Sequence, residues 1–229
     1  MVRMFLNLPA ERLHVNSQVS VNGNQRQNPD GSSAHVDPAM HGATSLHLAA
    51  LKGHAEIVKS IIGDVRCQKL IEDRSGMTEF HQACKHGQLD VVKLLIATSA
   101  KYARQPSKKN GRVGLHLACK YDSGYEVAKF LLEAYPDLCR IEDSNGEVAL
   151  HHAARGGSVR IVQLLLQQPD ININALNKRD RTPLAIAAEC GSAALCTLYD
   201  HVEAQRWTYV NGVAVEKIVR RQREKLADI

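Results

Sequence analysis

The aliphatic residues of this chain fall in short clusters with helical spacing. Ile57-Val58-Ile61-Ile62, Val91-Val92-Leu94-Leu95, Val127-Phe130-Leu131, Ile161-Val162-Leu164-Leu165 and Leu195-Leu198 each put their side chains on one face of a helix. A glycine precedes each cluster (Gly53, Gly87, Gly124, Gly157, Gly191), and a pair of small residues precedes each glycine: Ala49-Ala50, Ala83-Cys84, Ala118-Cys119, Ala153-Ala154 and Ala187-Ala188. The pattern predicts helix pairs. The small residues let a short first helix approach its neighbours closely, because nothing longer than a methyl or thiol intervenes. The glycine ends that helix in the left-handed conformation, and the second helix buries its aliphatic stripe.

Ahead of each small pair stands a four-residue lead-in: Thr44-Ser45-Leu46-His47, Thr78-Glu79-Phe80-His81, Val113-Gly114-Leu115-His116, Val148-Ala149-Leu150-His151 and Thr182-Pro183-Leu184-Ala185. The leucine or phenylalanine of each follows the previous one by 34, 35, 35 and 34 residues. A fixed period of that length marks a solenoid, in which each unit touches only its neighbours and all share one core. The third unit lengthens the turn between its helices: eight positions separate Cys119 from Val127, where seven separate Ala50 from Ile57. The extra residue falls within Tyr121-Asp122-Ser123-Gly124.

The unit resembles the ankyrin repeat, whose pattern includes T-P-L-H-x-A. The resemblance covers about residues 39–203, as repeats over 39–72, 73–107, 108–142, 143–176 and 177–203. It implies an all-α solenoid of stacked helix-turn-helix units with short hairpin fingers. Val113 and Val148 depart from the pattern by losing a hydroxyl near the helix start. The fifth copy loses its histidine and carries Cys196 and Tyr199 among its apolar residues, as a partly solvated terminal repeat would. Residues 1–38 lie outside the period and read as a flexible leader or a degenerate cap. After residue 203 a loop through Trp207 and Asn211-Gly212 is expected to lead into a helix from Val213 to Ala227, with Arg220, Arg221, Arg223 and Lys225 on its outer side, as a cap over the open end of the stack.

Composition refines this picture modestly. Hydrophobic residues make up 44% of the chain and aromatic ones only 4%, so small and aliphatic side chains must fill the core. A net charge of +5 and a pI near 8.9 incline the surface toward acidic partners without demanding nucleic acid. The six cysteines, Cys67, Cys84, Cys119, Cys139, Cys190 and Cys196, form no CxxC and no zinc spacing. Cys84 and Cys119 read as small core residues, and a reducing compartment is expected. Neither a signal peptide nor a membrane span is legible. The expectation is a soluble cytosolic monomer, with a nuclear location left open.

The recurring histidines cannot share a metal. Equivalent positions lie one repeat apart, and packed helices are about 8–10 Å apart, whereas zinc–nitrogen bonds are about 2.0–2.1 Å. Local hydrogen bonding that ties each finger to its helix is the expected role. Cys190 has no base assignable from sequence, and no phosphate loop or nucleophile elbow is present. No enzyme activity, metal or cofactor is expected.

Function is therefore expected at the surface. In the family that the repeat resembles, partners are usually bound on the concave side, by finger tips and the exposed ends of the first helices. Carried over position by position, this places Lys52, Arg74, Lys85, Lys109, Arg112, Lys120, Tyr121, Arg155, Lys178, Arg179 and Arg181 on that face, with Met40, His41, Asp122, Glu147, Glu189 and Cys190 among their neighbours. Basic residues outnumber acidic ones there, which points to an acidic protein segment as the ligand, with Tyr121 as its anchor. Two other readings remain at this point: binding of nucleic acid or anionic lipid through the groove or the terminal helix, and a targeting module of a host-directed bacterial effector.

Overall fold

The computed structural model describes residues 42–64, 67–194, 197–198, 209–210 and 213–214. Helix pairs follow one another along them. The first is α1 (Ser45–Lys52) with α2 (Ala55–Ile62), and the second α3 (Glu79–Lys85) with α4 (Leu89–Thr98), after which comes a single turn, α5 (Lys101–Arg104). The third pair is α6 (Gly114–Ala118) with α7 (Tyr125–Ala134), and the fourth α8 (Ala149–Gly156) with α9 (Val159–Leu166). α10 (Pro183–Cys190) opens the fifth, where Ala194, Thr197 and Leu198 are also helical. The architecture is the helical solenoid that the period predicts.

First helices neighbour first helices and second helices neighbour second helices along the stack. Every residue of the five small pairs is buried, including the Cys84 and Cys119 thiols, whose pKa values burial pushes up. The aliphatic stripes divide by depth. Val58, Val92, Leu95, Val127, Leu131, Ile161, Leu165 and Leu198 are buried, while Ile57, Ile62, Leu94, Phe130 and Leu164 pack against them half-covered. Each fully buried aliphatic side chain is worth about 1.5–3 kcal/mol, so the stripe holds the array together more than helix propensity does.

Gly53, Gly87, Gly157 and Gly191 take positive φ values of 76°, 70°, 78° and 60°, as a left-handed helix end requires. Gly124 does not; its φ is −87°. The extra residue of repeat three is absorbed as a 3₁₀ turn over Asp122–Gly124, and glycine is needed there for room, since a Cβ on it would run into the carbonyl of Ala118.

Two-residue strands β1 (Tyr209–Val210) and β2 (Val213–Ala214) pair antiparallel, with Tyr209 opposite Ala214 and Val210 opposite Val213. The expected helix start at Val213 is thereby corrected. The residues between the strands are Asn211-Gly212, a strong short hairpin signal that outweighs the helical spacing of the apolar residues after it. The leader over residues 1–38, Met40, His41, Leu195, Cys196, Tyr199 and the arginines from Arg220 onward lie outside the described residues.

Candidate partner-binding face

The repeated histidines build the frame on which the surface residues sit. In four repeats the histidine Nδ1 accepts the backbone N–H three residues earlier: Thr44 to His47 at 3.1 Å, Thr78 to His81 at 3.2 Å, Val113 to His116 at 3.0 Å and Val148 to His151 at 3.2 Å. The opposite nitrogen must then carry the proton, and Nε2 donates to a backbone carbonyl near the next finger: Met77 for His47 (3.1 Å), Arg112 for His81 (2.9 Å), Ile141 for His116 (2.9 Å) and Arg181 for His151 (3.0 Å). Each histidine therefore ties its own finger to its helix, as expected, and also ties its repeat to the next. Burial, reinforced by the neighbouring His152, holds His116 down at about 4. Burial likewise lowers His81 and His151.

Three of the fingers are turns held by an Asx side chain. Asp73 Oδ1 accepts the N–H groups of Ser75 and Met77, Asp143 Oδ1 those of Asn145 and Glu147, and Asn177 Oδ1 those of Arg179 and Arg181. Adjacent fingers are laced by backbone bonds: Lys108 N–H to Gly76 O at 3.0 Å, Ser144 N–H to Asn110 O at 2.9 Å and Lys178 N–H to Asn145 O at 2.9 Å.

Behind the fourth finger lies a buried polar network. Asp143 Oδ2 accepts from Arg112 Nε and from His152 Nε2, each at 3.2 Å, while Glu147 accepts both terminal nitrogens of Arg155, at 2.8 and 2.5 Å, and the Asn177 amide at 3.3 Å. Burial by itself would raise the Asp143 carboxyl, but the bonds from His152, the two backbone N–H groups and Arg112 outweigh it and hold it well below the usual range. The same contest, settled by Arg155, lowers Glu147. Among the described residues, Asp143, Glu147 and His152 each bring one ligand-type atom within 4.8 Å of the others. That donor set is already spent: two arginines supply the positive charge that a metal would. A second buried carboxylate, Glu79, accepts the Tyr102 hydroxyl at 2.5 Å and the Leu70 N–H at 3.1 Å. It stands where other lead-ins have Ser45, Gly114, Ala149 or Pro183.

The first-helix ends lie side by side. Gln88 Nε2 donates to Leu51 O at 3.1 Å; Gly87 abuts the carbonyl of Ser123, and Gly156 that of Lys120. Lys52 is exposed, Lys85 and Lys120 are half-exposed, and Tyr121 is 49% exposed with the Lys120 ammonium 5.1 Å from its ring centre. Asp122 bonds to Ser158 of the following repeat, so the inserted turn that carries Tyr121 is fixed on both sides. Burial, and then the charges of Lys85 and Lys52, lower the pKa of His86.

A sequence model described as "Ankyrin repeats (3 copies)" matches residues 22–105, 46–142 and 115–206. The chain belongs to the ankyrin-repeat family. Ankyrin repeats generally mediate protein–protein interaction. The chain is 37% identical over 125 residues to the "Probable 26S proteasome regulatory subunit p28" of Saccharomyces cerevisiae, a match covering 54% of each protein. It is 34% identical over 128 residues to the "Nuclear factor NF-kappa-B p105 subunit" of Mus musculus, covering 54% of this chain and 13% of that one. It is also 30% identical over 125 residues to the "Tyrosine-protein kinase HTK16" of Hydra vulgaris, covering 54% and 16%. The chain thus spans about half the length of the yeast protein and much less of the other two.

The ankyrin positions expected to meet a partner divide into two groups. Arg112, Arg155 and Arg181 are engaged internally, with Asp143, Glu147 and Glu189. Lys178 donates to the Ser144 carbonyl at 2.8 Å and has no ion pair among the described residues. Lys52, Lys85, Lys109, Lys120 and Arg179 have no carboxylate partner among the described residues, and Arg74 is exposed at the tip of finger two. Sequence reasoning missed the network under finger four and the Glu79–Tyr102 contact. The first had a signal in the Asp73 and Asp143 turns, each with glycine three residues on. The second had none, because Tyr102 lies 23 residues from Glu79.

Proposed function

We propose that this chain is a non-enzymatic interaction scaffold or adaptor that holds an acidic segment of a partner protein against the fingers and first-helix ends. The observation that carries this reading is the pair Lys85 and Lys120, at the same position of successive first-helix ends, with no carboxylate partner among the described residues and with the half-exposed Tyr121 beside Lys120. Cations in that state attract and orient an anionic ligand at small desolvation cost, and an aromatic ring on a fixed turn gives the contact an anchor. The ankyrin family supports protein as the ligand class. The turn geometry supports Tyr121 as a preorganised contact, because Gly87 and Ser158 brace it from the repeats on either side.

Reversing Lys85 and Lys120 together (Lys85→Glu with Lys120→Glu) tests the reading. Capture of the native protein partner in a pull-down titration should weaken by about tenfold or more, as loss of paired interface charges does, with the thermal midpoint unchanged. Unaltered capture removes the basic row from the account. Capture of nucleic acid instead, with a steep dependence on salt, replaces the protein ligand.

A further inference from the structure

The ion pairs in repeats four and five occupy one and the same place. Arg155 meets Glu147, and Glu189 meets Arg181; in both, the residue at the finger base pairs with the residue eight positions later at the first-helix end. The sign is reversed between the two repeats, yet the geometry closes in each. The equivalent positions in repeat two are Met77 and Lys85, and in repeat three Arg112 and Lys120. By position the residue eight places before the helix-end cation is there a thioether or a second cation, and Arg112 is already committed to Asp143. Among the described residues, neither lysine has a carboxylate partner. Charge along the row therefore changes character: open cations at Lys85 and Lys120, followed by closed pairs at Arg155 and Glu189, while repeat one has Leu51 in this place.

We infer that the partner supplies the missing carboxylates, so that an extended acidic segment crosses repeats two and three with one carboxylate beside Lys85 and the next beside Lys120. This rests on the proposed binding of an acidic segment and adds its place and its register. Neighbouring first helices lie about 8–10 Å apart, and an extended chain of the polyproline II type, with three residues per turn, advances about 3.1 Å per residue and keeps every third side chain on one face. Carboxylates three residues apart therefore fall on successive repeats. A carboxylate arriving there does what Glu147 does for Arg155, and Tyr121 next to Lys120 covers the contact. Repeats four and five, whose first-helix ends are already paired, carry the rest of the segment without charge selection at those positions.

The test uses the full chain and two dye-labelled synthetic peptides of equal composition. One has glutamate at every third residue with Gly-Ser between; the other has its glutamates contiguous. Fluorescence anisotropy should show the spaced peptide binding about fivefold or more tightly than the contiguous one, since matched charge placement sets specificity. Met77→Glu places a carboxylate where Glu147 stands in repeat four; it should close on Lys85 and weaken the spaced peptide by a similar factor, while the thermal midpoint holds or rises. Lys129→Glu, exposed on second helix α7, should change it less than about twofold. Equal affinity for the two peptides, binding of neither, or full binding by Met77→Glu overturns the inference. If such a result comes while reversal of Lys85 and Lys120 still abolishes partner capture, the register alone fails; if that reversal is also silent, the acidic-segment reading fails with it.

Discussion

His116 shows how a single side chain is committed to structure. Both ring nitrogens are in use, one accepting from Val113 and one donating to Ile141, so the neutral tautomer is the one that fits. The sign of its linkage to stability follows. An unfolded imidazole titrates at about 6.5, whereas burial and His152, whose ring lies 5.2 Å away, hold the folded one at about 4. Its contribution is complete above the unfolded value and is lost as pH falls toward the folded one. His81 and His151, also lowered by burial, act in the same sense. The lowered carboxyls of Asp143 and Glu147 act mainly below this window. Urea unfolding between about pH 7 and pH 4 should therefore show a decline of about 3 kcal/mol from His116 alone. A flat or rising profile would show that these imidazoles are charged in the fold.

The turns between helices explain what could be read from the sequence and what could not. Left-handed glycine ends were legible at Gly53, Gly87, Gly157 and Gly191, because the same residue recurs in the same place for a local reason. Gly124 broke the pattern: the inserted residue was visible, but the 3₁₀ turn that absorbs it depends on space beside Ala118. The ion pairs were hidden for a similar reason. Arg155 and Glu147 are eight residues apart and Arg112 and Asp143 are 31 apart, so each pairing is set by how finger and helix meet, and a count of basic residues on the face overstates the charge left for a partner. Close approach at this level also predicts a mutational contrast. Gly156→Ala drives a Cβ into the carbonyl of Lys120 and should cost about 2 kcal/mol. Gly191→Ala meets nothing within 4 Å and should cost about 1 kcal/mol, for its left-handed backbone only. Equal losses in chemical denaturation would mean that the helix ends do not constrain one another.

Across the array as a whole, the same unit is used for two purposes. Small pairs, histidines and aliphatic stripes recur almost unchanged and link every repeat to the next, so stability is shared along the stack. The positions beside them vary, and their variation is ordered: at the first-helix ends, lysines without a carboxylate partner among the described residues in repeats two and three, closed pairs in repeats four and five. A protein segment reading that order would lie across the first helices with its acidic part toward the N-terminal repeats. Photo-crosslinking locates it most directly. A photoreactive phenylalanine analogue is placed at Tyr121 on the fixed turn, or at exposed Lys129 on second helix α7, and the attached partner peptide is sequenced by mass spectrometry. The account predicts an acidic partner peptide joined at Tyr121 and none at Lys129; attachment at Lys129 with none at Tyr121 would contradict it.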